Sequence, residues 1–153
     1  MQEALTEPVP PQPPEIHWTE IGGLPMVWVD VEEPTAAGLL FRVGWTDEPL
    51  HMRGLTHLVE HLALTSLGVD EPYPGNAFTS ATMTGFAMNG TPEQVVDFLE
   101  RVTSGLRDLP LDRLDHEVQV LRAEEHARPP GLSSRLLRCR FGAMAMGWAP
   151  TGS

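Results

Sequence analysis

One cysteine, Cys139, stands in a chain of 153 residues. A lone thiol excludes an intrachain disulfide framework and any zinc site built from several cysteines of one chain. Basic residues are scarce as well: 10 Lys+Arg against 21 Asp+Glu leave a formal net charge of −11. That balance lacks the positive footprint that nucleic acid or an anionic membrane surface selects, so neither is expected as a partner. Long apolar runs are missing too. No stretch approaches the ~18 residues a membrane helix requires. Residues 1–15 have neither a basic start nor an apolar h-region and do not read as a secretory signal, so a cytoplasmic location is expected. Five prolines between Pro8 and Pro14 favour an extended lead-in there. What is present is 41% apolar residues, enough for one core in one domain spanning residues 16–153.

Along that domain, residues 16–20 read as a short strand, Gly22-Gly23 as a tight turn, and residues 25–31 and 36–43 as further strands. Residues 55–66 read as a helix, because Leu55, Leu58, Val59 and Leu62 recur at helical spacing. Residues 68–75 form a loop, and 76–80 with 83–89 form a hairpin. Thr91-Pro92-Glu93-Gln94 is a helix start with a complete capping box, and the helix presents Val95, Leu99, Val102 and Leu106 on one face. Pro110 opens another helix to about residue 126, with Leu111, Leu114, Val118 and Leu121 inward. Pro129-Pro130-Gly131 stops it, and residues 132–141 form a last helix. The mixture predicts an α+β fold, an antiparallel or mixed sheet with helices on one face. The methionines Met83 and Met88 and the tryptophans Trp18, Trp28 and Trp45 are expected as packing residues.

The chemistry concentrates in Gly54-Leu55-Thr56-His57-Leu58-Val59-Glu60-His61. At ~100° per residue, His57 and His61 sit ~40° apart on the helix, so their imidazoles can meet at one ion. Glu60 lies ~60° from His57, where its carboxylate can reach water on that ion. The apolar stripe points almost opposite, which argues against core histidines. His-x-x-Glu-His is the reverse of the commoner zinc-peptidase order. Two imidazoles and a carboxylate favour zinc over manganese or cobalt by availability. Catalytic zinc takes three protein ligands, so a third must come from elsewhere. Glu117 and Glu124, seven positions apart on one helical face, are the best candidates; Glu125, His116 and His126 are weaker ones.

Three motifs in this order resemble the M16 peptidase family, which includes pitrilysin, insulinase and the mitochondrial processing peptidase. The helix residues 54–62 with their approach from Gly44 to Glu48 look like the family's zinc helix. Asn76-Ala77-Phe78-Thr79-Ser80 resembles its Asn-Ala-x-Thr strand, and Glu117 to Glu124 its Glu-x6-Glu helix. The resemblance covers the chain from Ile16 onward. It implies one zinc ion held by His57, His61 and Glu124, with Glu60 as general base. Glu117 would be a carboxylate supporting the site. Asn76, Ala77, Phe78 and Thr79 would form an edge strand that pairs with an extended peptide. The implied activity is that of a hydrolase, a zinc metalloprotease cleaving peptides.

The sequence departs from the family pattern in places. Sixty-three positions separate His61 from Glu124, fewer than the family usually has, and the deficit falls in the loop 68–75. The domain is incomplete relative to the family, and the inactive half that completes the family's clamshell has no counterpart in these residues. The expected state is therefore a homo-oligomer or a complex with a second chain of the same type. The alternative expectation is a non-catalytic binding or scaffold subunit that retains the metal site.

Overall fold

The computed structural model describes residues 13–32, 34–65, 67–68, 75–127 and 132–142. Most of the proline lead-in, the centre of the loop 68–75, the Pro129-Pro130-Gly131 stop and the segment after Gly142 lie outside the described residues. The chain divides into two compact units, Met1–Glu33 and Pro34–Ser153.

The first unit is an antiparallel pair, β1 (Ile16–Ile21) and β2 (Leu24–Val29), in register from Ile16 opposite Val29 to Ile21 opposite Leu24. Gly22 and Gly23 both have positive φ, 59° and 84°. A two-residue hairpin turn needs that geometry to match the twist of its strands. The His17 ring stacks on Trp28 at 5.2 Å, and His17 Nε2 lies 3.4 Å from the Asp30 carboxylate. Trp18 was expected to pack, yet it is 72% exposed. The apolar side chains of β1 and β2 alternate to both faces, and neither face is covered within this unit.

The second unit holds β3 (Thr35–Phe41), α1 (Leu55–Thr65), β4 (Gly75–Thr79), β5 (Thr84–Gly90), α2 (Pro92–Arg107), α3 (Leu114–Ala127) and α4 (Leu132–Phe141). Its sheet is antiparallel in the order β3-β5-β4. The α+β class is as expected, although the strands form two small sheets rather than one. β4 and β5 are the expected hairpin, closed by the Ser80 N–H donating to the Met83 carbonyl at 2.7 Å.

One face of this sheet carries the core. Phe86 and Met88 of β5 point to it and pack with Val95, Phe98 and Val102 of α2 and Ala63 of α1, while Ala37, Leu39 and Ala77 lie against the cluster. Phe98 is fully buried. It fits because Gly75 has no side chain; a Cβ there would stand 2.4 Å from the Phe98 ring. The opposite face, with Ala36, Leu40 and Phe78, is exposed. The capping box of α2 forms as expected. Gln94 N–H donates to Thr91 Oγ1, and Gln94 Oε1 accepts from the Thr91 N–H at 3.0 Å.

Two helices differ from their apolar-stripe readings. In α1, Leu62 is buried but Leu55 is exposed, while Glu60, on the polar side, is 6% exposed. Before α3, Leu111 lies in a 3-10 turn and is exposed, as is Leu114, while Val118 and Leu121 are half-buried. The buried residue of α3 is Glu117. In both cases a carboxylate turns inward because a polar partner on another element meets it: Thr79 of β4 for Glu60, and His61 and Thr65 of α1 for Glu117. Among the described residues, no helix is long and apolar enough to cross a membrane.

Candidate metal centre

The site begins in the turn at residues 44–48, which lies against the β4–β5 hairpin. Trp45 N–H donates to the Ser80 carbonyl at 3.1 Å and Thr46 N–H to the Ala81 carbonyl at 3.0 Å. Only glycine fits at Gly44, where a Cβ would come within 2.4 Å of the Ser80 carbonyl oxygen. This turn delivers Glu48, whose carboxylate accepts from Gly54 N–H at 2.7 Å and Thr56 N–H at 2.6 Å. Both donors are free amides at the start of α1, so Glu48 caps the helix and its charge complements the helix dipole. Nothing in the local spacing announced this role, because a 3-10 turn, Leu50–Met52, separates Glu48 from the helix it caps.

From that anchored start, α1 presents His57 and His61 one turn apart, their ring centroids 4.8 Å from each other. Helix α3 runs beside it and brings Glu124 between them. Glu124 Oε2 lies 3.8 Å from His57 Nε2, and Glu124 Oε1 lies 3.7 Å from His61 Nε2. These separations are too long for hydrogen bonds. They come close to the ~3.3 Å that two donors ~2.0–2.1 Å from one tetrahedral ion keep between themselves. One donor atom from each of His57, His61 and Glu124 falls within 4.8 Å of the others. The donor set, two imidazoles and one carboxylate, suits a zinc ion with a position left open. The residues therefore fit the ion that the motif implies.

Behind the donors lies Glu117. Its Oε2 is 3.3 Å from His61 Nδ1, and its Oε1 is 3.4 Å from the Thr65 hydroxyl and 3.8 Å from the Arg113 guanidinium. A carboxylate beside Nδ1 accepts a hydrogen bond from an Nδ1–H and so favours the tautomer whose lone pair is on Nε2, the nitrogen that faces Glu124. The Thr65 hydroxyl also donates to the His61 carbonyl at 2.9 Å. Glu60 points to β4, where its Oε2 accepts from the Thr79 hydroxyl at 2.7 Å.

His57, His61, Glu124 and Glu60 line a cleft of about 650 Å³, together with Trp45, Met52, Leu58 and Arg122. Of the strand residues predicted to meet substrate, Ala77, Phe78 and Thr79 border the cleft; Asn76 does not, and its side chain lies on the exposed face. Among the described residues, β4 is an edge strand of its sheet. Among the weaker ligand candidates, Glu125 borders the cleft without joining the donor cluster. His116 is exposed, and His126 Nδ1 lies 2.5 Å from the Arg122 carbonyl oxygen.

Sequence reasoning missed Glu48, Thr65 and Arg113. The Arg113–Glu117 spacing of i,i+4 was a usable signal; for Glu48 and Thr65 there was none. The chain matches no protein-family model, and no curated protein matches it.

Proposed function

We propose that this chain is a zinc-dependent endopeptidase of the M16 type, or the catalytic half of one that a second chain completes. The observation that carries this reading is the meeting of His57, His61 and Glu124 at one point of a cleft that also holds Glu60 and runs beside a sheet edge.

His57, His61 and Glu124 would hold the ion, which when bound supplies Lewis acidity, acidifying water and polarising a carbonyl. The remaining steps belong to the chain. The Thr79 hydroxyl occupies Glu60 Oε2, which leaves Oε1 to take a proton from the attacking water. The water oxygen bonds to the peptide carbonyl carbon, the C–N bond breaks, and Oε1 returns the proton to the leaving amine. Glu117 holds His61 in the orientation that offers Nε2.

The edge of β4 is suited to an extended substrate. Since Ser80 N–H bonds Met83, the alternation of an antiparallel pair makes Thr79–Thr84 a pair without mutual hydrogen bonds. The backbone groups of Thr79 and Ala77 then face away from β5 and, among the described residues, are left for a peptide strand to bond. Both outer strands, β3 and β4, leave an edge that invites pairing with another chain. That supports a homo-oligomer or a second chain of the same type. The reading places the protein in the cytoplasm, in keeping with one cysteine.

The test is metal analysis together with cleavage of an unstructured peptide. Glu60→Gln is expected to keep stoichiometric zinc and lose cleavage. Unchanged cleavage in that variant refutes the role of Glu60. Stoichiometric zinc without hydrolysis by the native chain, alone or as an oligomer, identifies a scaffold subunit instead.

A further inference from the structure

Thr79 is expected from the strand motif only as a residue beside the substrate, yet its hydroxyl is also committed to Glu60 in the same cleft. Glu60 lines the cleft but is only 6% exposed, so the direction of its carboxylate is set largely by protein donors. Among the described residues, the hydroxyl that meets it is that of Thr79. This threonine is the last residue of β4, and its backbone N–H and C=O face the open sheet edge. One residue therefore carries two fittings: a main chain for an extended peptide and a side chain for the proposed base.

We infer that Thr79 is a positioning residue, which ties the register of a peptide paired with β4 to the direction of the Glu60 carboxylate. The inference rests on the peptidase reading and adds to it. The Thr79 bond to Oε2 restrains Glu60 about its terminal torsion and keeps Oε1 for water. A strand bonded to the Thr79 main chain fixes its scissile carbonyl relative to that same oxygen. A misplaced base costs rate rather than affinity, because only the reacting geometry depends on it.

The experiment compares the native chain with Thr79→Val, which keeps shape and loses the hydroxyl, and Thr79→Ser, which restores it. Each is loaded with zinc for peptide cleavage and with cobalt for visible absorption, which senses what touches the ion's surroundings. Thr79→Val is expected to bind metal with native stoichiometry, to lose about tenfold in kcat with KM within about twofold, and to shift the cobalt spectrum. Thr79→Ser is expected to recover most of the rate and the native spectrum. Native kcat in Thr79→Val, a loss confined to KM, or failure of serine to restore overturns the inference. If the native chain binds cobalt and cleaves nothing, the peptidase reading fails; a spectrum that Thr79→Val leaves unmoved then removes the positioning role as well, whereas a shift reversed by serine upholds the hold of Thr79 on Glu60.

Discussion

Glu117 and Glu124 share a helix face, carry the same carboxylate and stand seven residues apart, yet the structure gives them opposite responses to truncation. Glu117 is 7% exposed and touches His61, Thr65 and Arg113. Glu117→Ala leaves three polar groups with less than they had. At about 1 kcal/mol for each weakened contact, and with relief from burying a charge set against it, the metal-free protein loses about 2 kcal/mol. For a chain of this length that is a fall of about 4–8 °C in Tm. If the site holds the proposed zinc, metal affinity is expected to fall about 10- to 100-fold, because His61 loses its orienting partner but keeps its nitrogen. The Glu124 side chain is 34% exposed and sits beyond hydrogen-bond reach of both imidazoles. Glu124→Ala should leave the metal-free Tm within about 2 °C of native, and it removes one of three donors, with an affinity loss at least about tenfold greater than that of Glu117→Ala. Calorimetry in the presence of chelator gives the first quantity, and competition with a chromophoric chelator gives the second. Equal affinity losses, or a larger metal-free destabilisation from Glu124→Ala, refute the assignment of ligand and support.

Three further outcomes follow from the same geometry. Gly44→Ala drives a Cβ into the Ser80–Ala81 backbone, which parts the two hydrogen bonds from Trp45 and Thr46, and should cost about 2 kcal/mol in urea unfolding; a native midpoint would show that the turn yields freely. Glu48→Ala uncaps α1 at two amides and should cost about 1–2 kcal/mol by thermal unfolding, with the amide of Glu48→Gln recovering part of it. At the start of α2, backbone N–H donation and the Thr91 side chain hold the Glu93 carboxyl below its ordinary pKa. A carboxyl lowered in the folded state stabilises above its unfolded pKa, and that contribution fades as pH falls through the folded value. Glu93→Gln should therefore be less stable than native at neutral pH, and the two stability curves should converge in acid.

The sequence made some of this legible and hid the rest for physical reasons. Helix α2 was readable in full, since Thr91 to Gln94 state a capping box in four consecutive residues and the structure makes both of its hydrogen bonds. The convergence of His57 and His61 followed from helix geometry alone. The inward turn of Glu60 and Glu117 did not. Wheel reasoning sends charge outward, and these two carboxylates are buried because each meets a hydroxyl, and Glu117 a histidine as well, on another part of α1 or on β4. Such pairings are non-local, so no window of sequence contains both partners. The same limit hid the division of strands into two sheets: one sheet was expected, whereas β1 and β2 pair only with each other and leave Trp18 and Leu24 exposed.

His61 and Glu124 lie 63 positions apart in the chain, on helices whose polar faces meet. An ion gripping both would act as a removable staple across that span. Cross-linking a loop of this length restricts the unfolded chain by up to ~4 kcal/mol on the chain-entropy scale used for disulfides. A protein with a single thiol would then possess a fastening that opens with a chelator or with acid, which protonates the ligands, rather than with a reductant.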